Sequence, residues 1–86
     1  GPRVALSAAA VRGAVRAHVG GTDARWVRSV RFYVNGRSAA ADGKAPFQTL
    51  LRRSLVGRRA TATVRAQVTT TDGRSVTLTR NVRIAR

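Results

Sequence analysis

A run of ten residues constrains the fold of this chain more than any other feature. Between residues 61 and 70, small apolar side chains occupy alternate positions, and polar side chains such as Arg65 and Gln67 occupy the positions between them. Successive side chains of a β-strand point to opposite faces, so a period of two predicts a strand with one buried and one exposed face. The fold therefore includes a long, half-buried strand.

The same alternation predicts four further strands, at residues 4–8, 11–19, 26–34 and 75–84. The strongest is 26–34, which is rich in aromatic and β-branched residues. Arg80 departs from the pattern of the last strand, at residues 75–84, because it occupies one of the alternate positions that face inward. We expect a bulge or strand crossing to turn it outward. The predicted core residues are Val15, Val30, Phe32, Val34, Val64, Ala66, Val68 and Leu78.

Turn-forming residues separate the predicted strands. Gly20-Gly21-Thr22-Asp23 predicts a loop, whereas Asn35-Gly36 and Asp72-Gly73 are typical of tight hairpin turns. Short strands at roughly ten-residue spacing are typical of a β-sandwich or a small β-barrel. The fold class is therefore all-β.

Residues 44–57 fit two local structures. Phe47, Leu50, Leu51 and Leu55 form a helical stripe, with Pro46 and Gly57 suitably placed at its two ends. The alternative is a strand near residues 47–52, followed by an irregular turn through residues 54–57. Local pattern alone leaves both readings open.

Several motifs resemble those of the bacterial immunoglobulin-like domains. The matching segments are Val30-Arg31-Phe32-Tyr33-Val34-Asn35-Gly36, Ala45-Pro46-Phe47, Ser54-Leu55-Val56-Gly57 and Thr71-Asp72-Gly73-Arg74. Ala66 is a further matching position between the last two. The resemblance implies an antiparallel sandwich of about seven strands, with residues 46–51 extended. It also implies an accessory role beside other domains of secreted or surface proteins, with no shared catalytic residues. The alternative fold is a small barrel of the oligonucleotide-binding type, in which residues 47–55 would form a helix.

The charge is unusually one-sided. The chain has sixteen arginines and one lysine, Lys44, but only three aspartates and no glutamate, which gives a formal net charge of +14. Such a chain attracts polyanions, including nucleic acid, anionic lipid and acidic wall polymers. A GC-rich genome also favours arginine over lysine, although codon usage does not account for the scarcity of acidic residues. Both origins of the charge remain open.

The residue types needed for catalysis or metal binding are scarce. Asp23, Asp42 and Asp72 all lie in turn-like segments, where we expect each carboxylate to close its own turn. The only histidine, His18, has the parity of an exposed face, and without cysteine neither a disulfide nor a thiolate zinc site can form. We therefore predict no catalytic residue, no metal ligand and no cofactor.

The aromatic residues have different predicted roles. Trp26, Phe32 and Phe47 are expected in the core or at its rim, with ligand stacking as the alternative for Trp26. Tyr33 has outward parity, and neighbouring strands can place arginines around it. The candidate anion-binding face is therefore Arg31, Tyr33, Arg65 and Arg83. The alternative is a solvated sheet face on which arginine stems cover the ring.

These features lead to two functional hypotheses. The first is an extracellular or cell-surface accessory domain spanning residues 1–86 and excised from a longer protein, since Gly1-Pro2-Arg3 lacks an initiating methionine. As a monomer, it would space or present neighbouring domains, or adhere to anionic envelope polymers. The second is a dedicated polyanion or nucleic-acid binding module. The apolar runs are too short for a transmembrane segment.

Overall fold

Seven β-strands make up most of the computed structural model, which describes residues 3–84. The strands are β1 (Ala5–Val11), β2 (Ala14–Gly20), β3 (Val27–Val34), β4 (Arg37–Asp42), β5 (Phe47–Leu51), β6 (Thr61–Thr70) and β7 (Ser75–Arg83). A 3-10 turn at Ala24–Trp26 precedes β3, and a single helical turn, α1 (Arg53–Val56), follows β5. Gly1-Pro2, on which the expectation of an excised segment partly rests, lies outside the described residues.

The strands form two sheets, with orders β1-β2-β5 and β4-β3-β6-β7, in which all neighbours are antiparallel. This confirms the predicted seven-stranded antiparallel sandwich. The barrel alternative is wrong, because the two sheets stay separate over residues 3–84. Residues 47–51 form the strand that the family motifs implied. The only helical part of the segment that could have formed a longer helix is the single turn α1.

The core lies between the two sheets. Seven of the eight predicted core residues are buried, including Phe32 with no exposed surface, and Leu78 is half-buried. Their burial follows from strand parity, because β3 and β6 pair in register and direct the same side of each strand inward. Phe47 is also buried, as predicted.

Three tight hairpins join neighbouring strands, and one of them was not predicted. Asn35-Gly36 and Asp72-Gly73 turn the chain as expected. The strand predicted at residues 11–19 corresponds to β2 but was placed to begin too early, because Arg12-Gly13 forms a turn between β1 and β2, with Arg12 at a φ of 52°. Val11 pairs with Ala14 across this turn. Across this turn the inward positions change from even residue numbers in β1 to odd numbers in β2, and Val11, which has the odd parity, is exposed.

Trp26 is not a core residue. Its side chain is 53% exposed, because it ends the 3-10 turn before β3 begins. The backbone at this point is fixed by the amide of Thr71, which donates to the Trp26 carbonyl at 2.8 Å. The expectation that Trp26 lies in the core or at its rim was therefore wrong. Its ring packs instead beside the Arg25 guanidinium, 5.4 Å from the ring centroid.

Arg80 also differs from expectation. The pairing of β6 with β7 continues without a register shift through Val64 and Arg80, so the predicted bulge is absent from this strand. The side chain keeps its inward parity at the open edge of the sandwich, where Arg80 Nε donates to the Leu6 carbonyl at 2.9 Å. A guanidinium on a long stem thus joins β7 of one sheet to β1 of the other.

We expect Arg80→Ala to lower the free energy of unfolding by about 1 kcal/mol, because it removes a charge-assisted hydrogen bond at a partly exposed site. Urea denaturation measures the change. Arg83→Ala, on the same strand but fully on the outer face, is the matched control and should change stability by less than about 0.5 kcal/mol. Equal losses in the two variants would contradict a specific role for Arg80.

Candidate anion-binding surfaces

The predicted anion-binding face lies on the outer side of the four-stranded sheet. Tyr33 on β3 pairs with Arg65 on β6, and the Arg65 guanidinium carbon lies 4.1 Å from the centre of the Tyr33 ring. At this distance the cation stacks on the ring face. One face of the aromatic ring is therefore already occupied by a side chain of the protein.

The other two predicted residues lie at different distances from this pair. Arg31 is two residues from Tyr33 on β3, so it shares the same face. Arg83 pairs with Thr61, four residues along β6 from Arg65, which is about 13 Å at the rise of a β-strand. The structure thus groups Arg31, Tyr33 and Arg65, and places Arg83 at the end of the sheet.

Ala41 of β4 pairs with Arg31 on this face, and neutral polar residues make up most of the rest. They are Ser29, Thr61, Thr63, Gln67, Thr69, Ser75, Thr77, Thr79 and Asn81. The Thr63 hydroxyl donates to the Asn81 side-chain oxygen at 3.0 Å, so part of the surface is internally hydrogen-bonded. The positive charge on the face is therefore spread thinly.

A second group of arginines, not predicted as a site, lies at one end of the sandwich. The molecule measures 40 × 20 × 18 Å. The ten residues of β6 span about 33 Å, so the strands run along the long axis. The β1–β2 and β3–β4 hairpins, α1 and the last residue of β7 meet at one end. This arginine end carries Arg12, Arg37, Arg52, Arg53, Arg58, Arg59 and Arg83, all exposed.

Specific contacts hold this end together. The Asn35 side chain donates from Nδ2 to the Val56 carbonyl at 3.2 Å, and its Oδ1 accepts from the Thr63 amide at 3.0 Å. These bonds tie the β3–β4 hairpin to α1 and to β6. The Arg53 side chain covers the β1–β2 turn so closely that a Cβ atom added at Gly13 would lie 2.8 Å from its Nε.

An open pocket of about 370 Å³ lies between the β3–β4 hairpin and the α1 segment. Arg37 and Arg59 both line it, together with Asn35, Ser54 and the end of α1. Two guanidinium groups lining one pocket suit an anionic group bound there. The arginine end is therefore a shaped surface as well as a charged one.

All three carboxylates lie toward the opposite end, here called the aspartate end. Asp72 accepts hydrogen bonds from the Thr70 hydroxyl and the Arg74 amide. Both bonds lower the pKa of Asp72, and the bond from Thr70 has the larger effect. Asp42 accepts from the Lys44 amide at 3.1 Å, so both residues close local turns as predicted. That prediction is wrong for Asp23, whose carboxylate accepts from the Arg3 amide at 2.7 Å, twenty residues earlier.

The charges are thus separated along the molecule. Among residues 3–84 the one ion pair joins Arg74 to Asp72, with 3.2 Å between Nε and Oδ2, at the aspartate end. No carboxylate of the described chain neutralises the arginine end. The sequence did contain a signal for it, because the doublets Arg52-Arg53 and Arg58-Arg59 flank the turn at residues 54–57. Their proximity to Arg12 and Arg37 depends on the topology.

Groups suited to other chemistry are few. His18 is exposed on the outer face of the three-stranded sheet, as predicted. Within the described residues, no three histidine or carboxylate side chains lie close enough together to hold a metal ion. In the same part of the chain, neither helix has the length and hydropathy required to cross a membrane.

Comparisons with known proteins agree with the fold. No family model matches the sequence, and no curated protein matches it. Among solved structures, the chain is similar to the fibronectin(III)-like modules of CbhA from Clostridium thermocellum, with a TM-score of 0.65 at 14% sequence identity. The match covers 96% of this chain and 99% of that one. This chain accordingly has an immunoglobulin-like β-sandwich fold, as the sequence motifs predicted.

Proposed function

We propose that this chain is a non-catalytic accessory domain of a longer bacterial protein, secreted or displayed on the cell surface, in which it spaces and presents its neighbours. Residues 1–86 would form one such domain. The observation that carries the proposal is the path of the chain: Arg3 lies at the aspartate end and Ile84 at the arginine end. The Asp23 amide donates to the Arg3 carbonyl at one end, and the Ile84 amide donates to the Ala60 carbonyl at the other.

This path sets the distance between neighbours. A domain that the chain enters at one end and leaves at the other holds the flanking segments apart by its long dimension, 40 Å. The similar solved structure is itself a module of a bacterial protein, which supports a modular role. The short hairpins and the buried core supply the rigidity that a spacer needs.

The proposal predicts a fixed separation. When the chain is placed between two fluorescent proteins, single-molecule energy transfer should give one narrow distance distribution that salt does not change. The control replaces the chain by a Gly/Ser linker of equal length, which should give a broad distribution with a root-mean-square length of about 50 Å. A distribution as broad as that of the linker would contradict the spacer role.

The charge supports a second candidate function, adhesion to anionic polymers. In this candidate the sheet face formed by Arg31, Tyr33, Arg65 and Arg83 contacts the polymer, in addition to any spacing role. The observation favouring it is the net charge of +14 together with the grouping of Arg31 and Arg65 beside Tyr33. Such binding would weaken steeply as salt rises, because contacts between arginine and anions release counterions. Titration of binding against salt concentration tests it.

A further inference from the structure

The arginine end concentrates more positive charge than the sheet face. It carries seven exposed arginines at one end of a molecule with a cross-section of 20 × 18 Å, and all three carboxylates lie toward the other end, along the 40 Å axis. At physiological ionic strength the Debye length is about 8 Å, so the distant carboxylates are screened from the arginine end. The field at this end is therefore uniformly positive.

The cationic side chains of the arginine end are all guanidinium groups, because this end has no lysine. The planar guanidinium group binds phosphate or carboxylate oxygens through two parallel hydrogen bonds. Arg37 and Arg59 line a common pocket, and Arg53 lies over Gly13 in the neighbouring β1–β2 turn. A polymer with regularly spaced phosphates can contact several of these residues at once, which a single small anion cannot do.

The aromatic residues argue against recognition of bases. Among the described residues, Trp26 lies at the aspartate end, and Phe32 and Phe47 are buried. Tyr33 lies on the sheet face with Arg65 over its ring. Proteins that bind single-stranded nucleic acid stack bases on exposed aromatic rings. The described arginine end offers no such ring.

We propose that the arginine end binds a phosphodiester polymer through its phosphates alone, without recognition of bases, as a chain of polyol phosphates allows, with Arg37, Arg53 and Arg59 at the centre of the site. Arg83 lies at the junction with the sheet face and extends the contact toward Arg65. The proposal rests on the second candidate function, adhesion through charge, and assigns that adhesion to a different principal surface. It does not depend on the spacer role.

The test measures binding of the full chain to four probes at several salt concentrations. The probes are purified poly(glycerol phosphate), an abasic oligonucleotide, oligo-dT with the same number of phosphates, and polyglutamate of equal charge. The end variant is R37Q/R53Q/R59Q. Its matched control, R3Q/R28Q/K44Q, removes three positive charges near the aspartate end, and R31Q/R65Q tests the sheet face. Circular dichroism and thermal melting verify that each variant is folded.

We expect poly(glycerol phosphate) and the abasic oligonucleotide to bind, and oligo-dT to bind within about threefold of the abasic probe. Polyglutamate should bind more weakly, because its carboxylates lie on flexible side chains that binding must order. The end variant should lose roughly ten- to a hundredfold in affinity at low salt. The slope of log affinity against log salt should fall by about 2, corresponding to three lost phosphate contacts. The control variant should lose less than about threefold.

Four results would overturn the proposal. If no probe binds at low salt, adhesion through charge fails with it. If R31Q/R65Q abolishes binding and the end variant does not, the second candidate stands and the assignment to the arginine end is wrong. Equal losses in the end and control variants would show that only net charge matters. Binding of oligo-dT more than about tenfold tighter than the abasic probe would indicate base recognition and a nucleic-acid binder.

Discussion

Replacing Phe32 by alanine should lower the free energy of unfolding by about 3–5 kcal/mol. Phe32 has no exposed surface and lies at the centre of β3, where both sheets pack against it. Truncation removes the buried ring and leaves a cavity that the rigid strands can fill only in part. A domain of this length has a total stability of roughly 4–13 kcal/mol, so the variant is expected to be marginally folded. Urea denaturation followed by circular dichroism measures the loss.

Two substitutions control for this result. Phe32→Leu keeps most of the apolar volume and should cost less than about 2 kcal/mol. Leu50→Ala shortens a large apolar side chain that is 53% exposed on the outer face of β5, and should cost under about 1 kcal/mol. A Phe32→Ala variant as stable as Leu50→Ala would contradict the placement of the core.

Gly21→Ala should destabilise the fold by about 2–4 kcal/mol. Gly21 has a φ of 114°, and a Cβ atom there would lie 2.6 Å from the Arg3 carbonyl oxygen. That oxygen accepts from the Asp23 amide, and Asp23 in turn accepts from the Arg3 amide. The added methyl group must therefore separate two backbone segments and strain both hydrogen bonds. Thermal and urea denaturation measure the effect.

The matched control for this prediction is Gly36→Ala. Gly36 also has a positive φ, 83°, but nothing lies within 4 Å of its added Cβ. Alanine there should cost about 1–2 kcal/mol from backbone strain alone. The difference between the two variants isolates the steric clash at residue 21. Equal losses would show that strain accounts for the whole effect.

Much of the fold was predictable from the sequence, because parity and turn residues act locally. The alternation at residues 61–70 and 26–34 predicted β6 and all of β3, and Asn35-Gly36 and Asp72-Gly73 predicted two hairpins. The Arg12-Gly13 hairpin was missed because Val11 and Gly13 have the same odd parity as the inward residues of β2, so they appeared to extend that strand. The two-residue turn in fact changes the inward parity from even in β1 to odd in β2, and Val11 is exposed.

Long-range geometry accounts for the remaining errors. The Arg80 side chain has an inward parity that would be costly in the middle of a sheet, but at the edge it reaches the Leu6 carbonyl of the other sheet. Trp26 is a large aromatic residue of the kind usually found in a core. The 3-10 turn nevertheless places it before the first inward-facing position of β3. Neither outcome can be read from a single strand.

The proximity of the residues in the predicted anion-binding face could be predicted only in part, for the same reason. Pairing of two strands with known parity was sufficient to place Arg65 beside Tyr33. The arginine end depends on which hairpins share one end of the sandwich, and its residues come from four separate segments of the chain. The arginine doublets at residues 52–53 and 58–59 could be seen in the sequence. The sequence did not show that Arg12 and Arg37 lie at the same end of the sandwich.

The route of the chain through the sandwich also governs how the domain responds to a pulling force. β1 and β7 both run from the aspartate end toward the arginine end, on adjoining edges of different sheets, and Arg80 joins them. Tension applied through the two flanking segments pulls these strands in opposite directions along their own length. Antiparallel ladder bonds lie perpendicular to the strands, so the load falls on each ladder as shear, across many bonds at once. The domain should therefore resist extension more strongly than a fold whose two terminal strands peel apart one bond at a time.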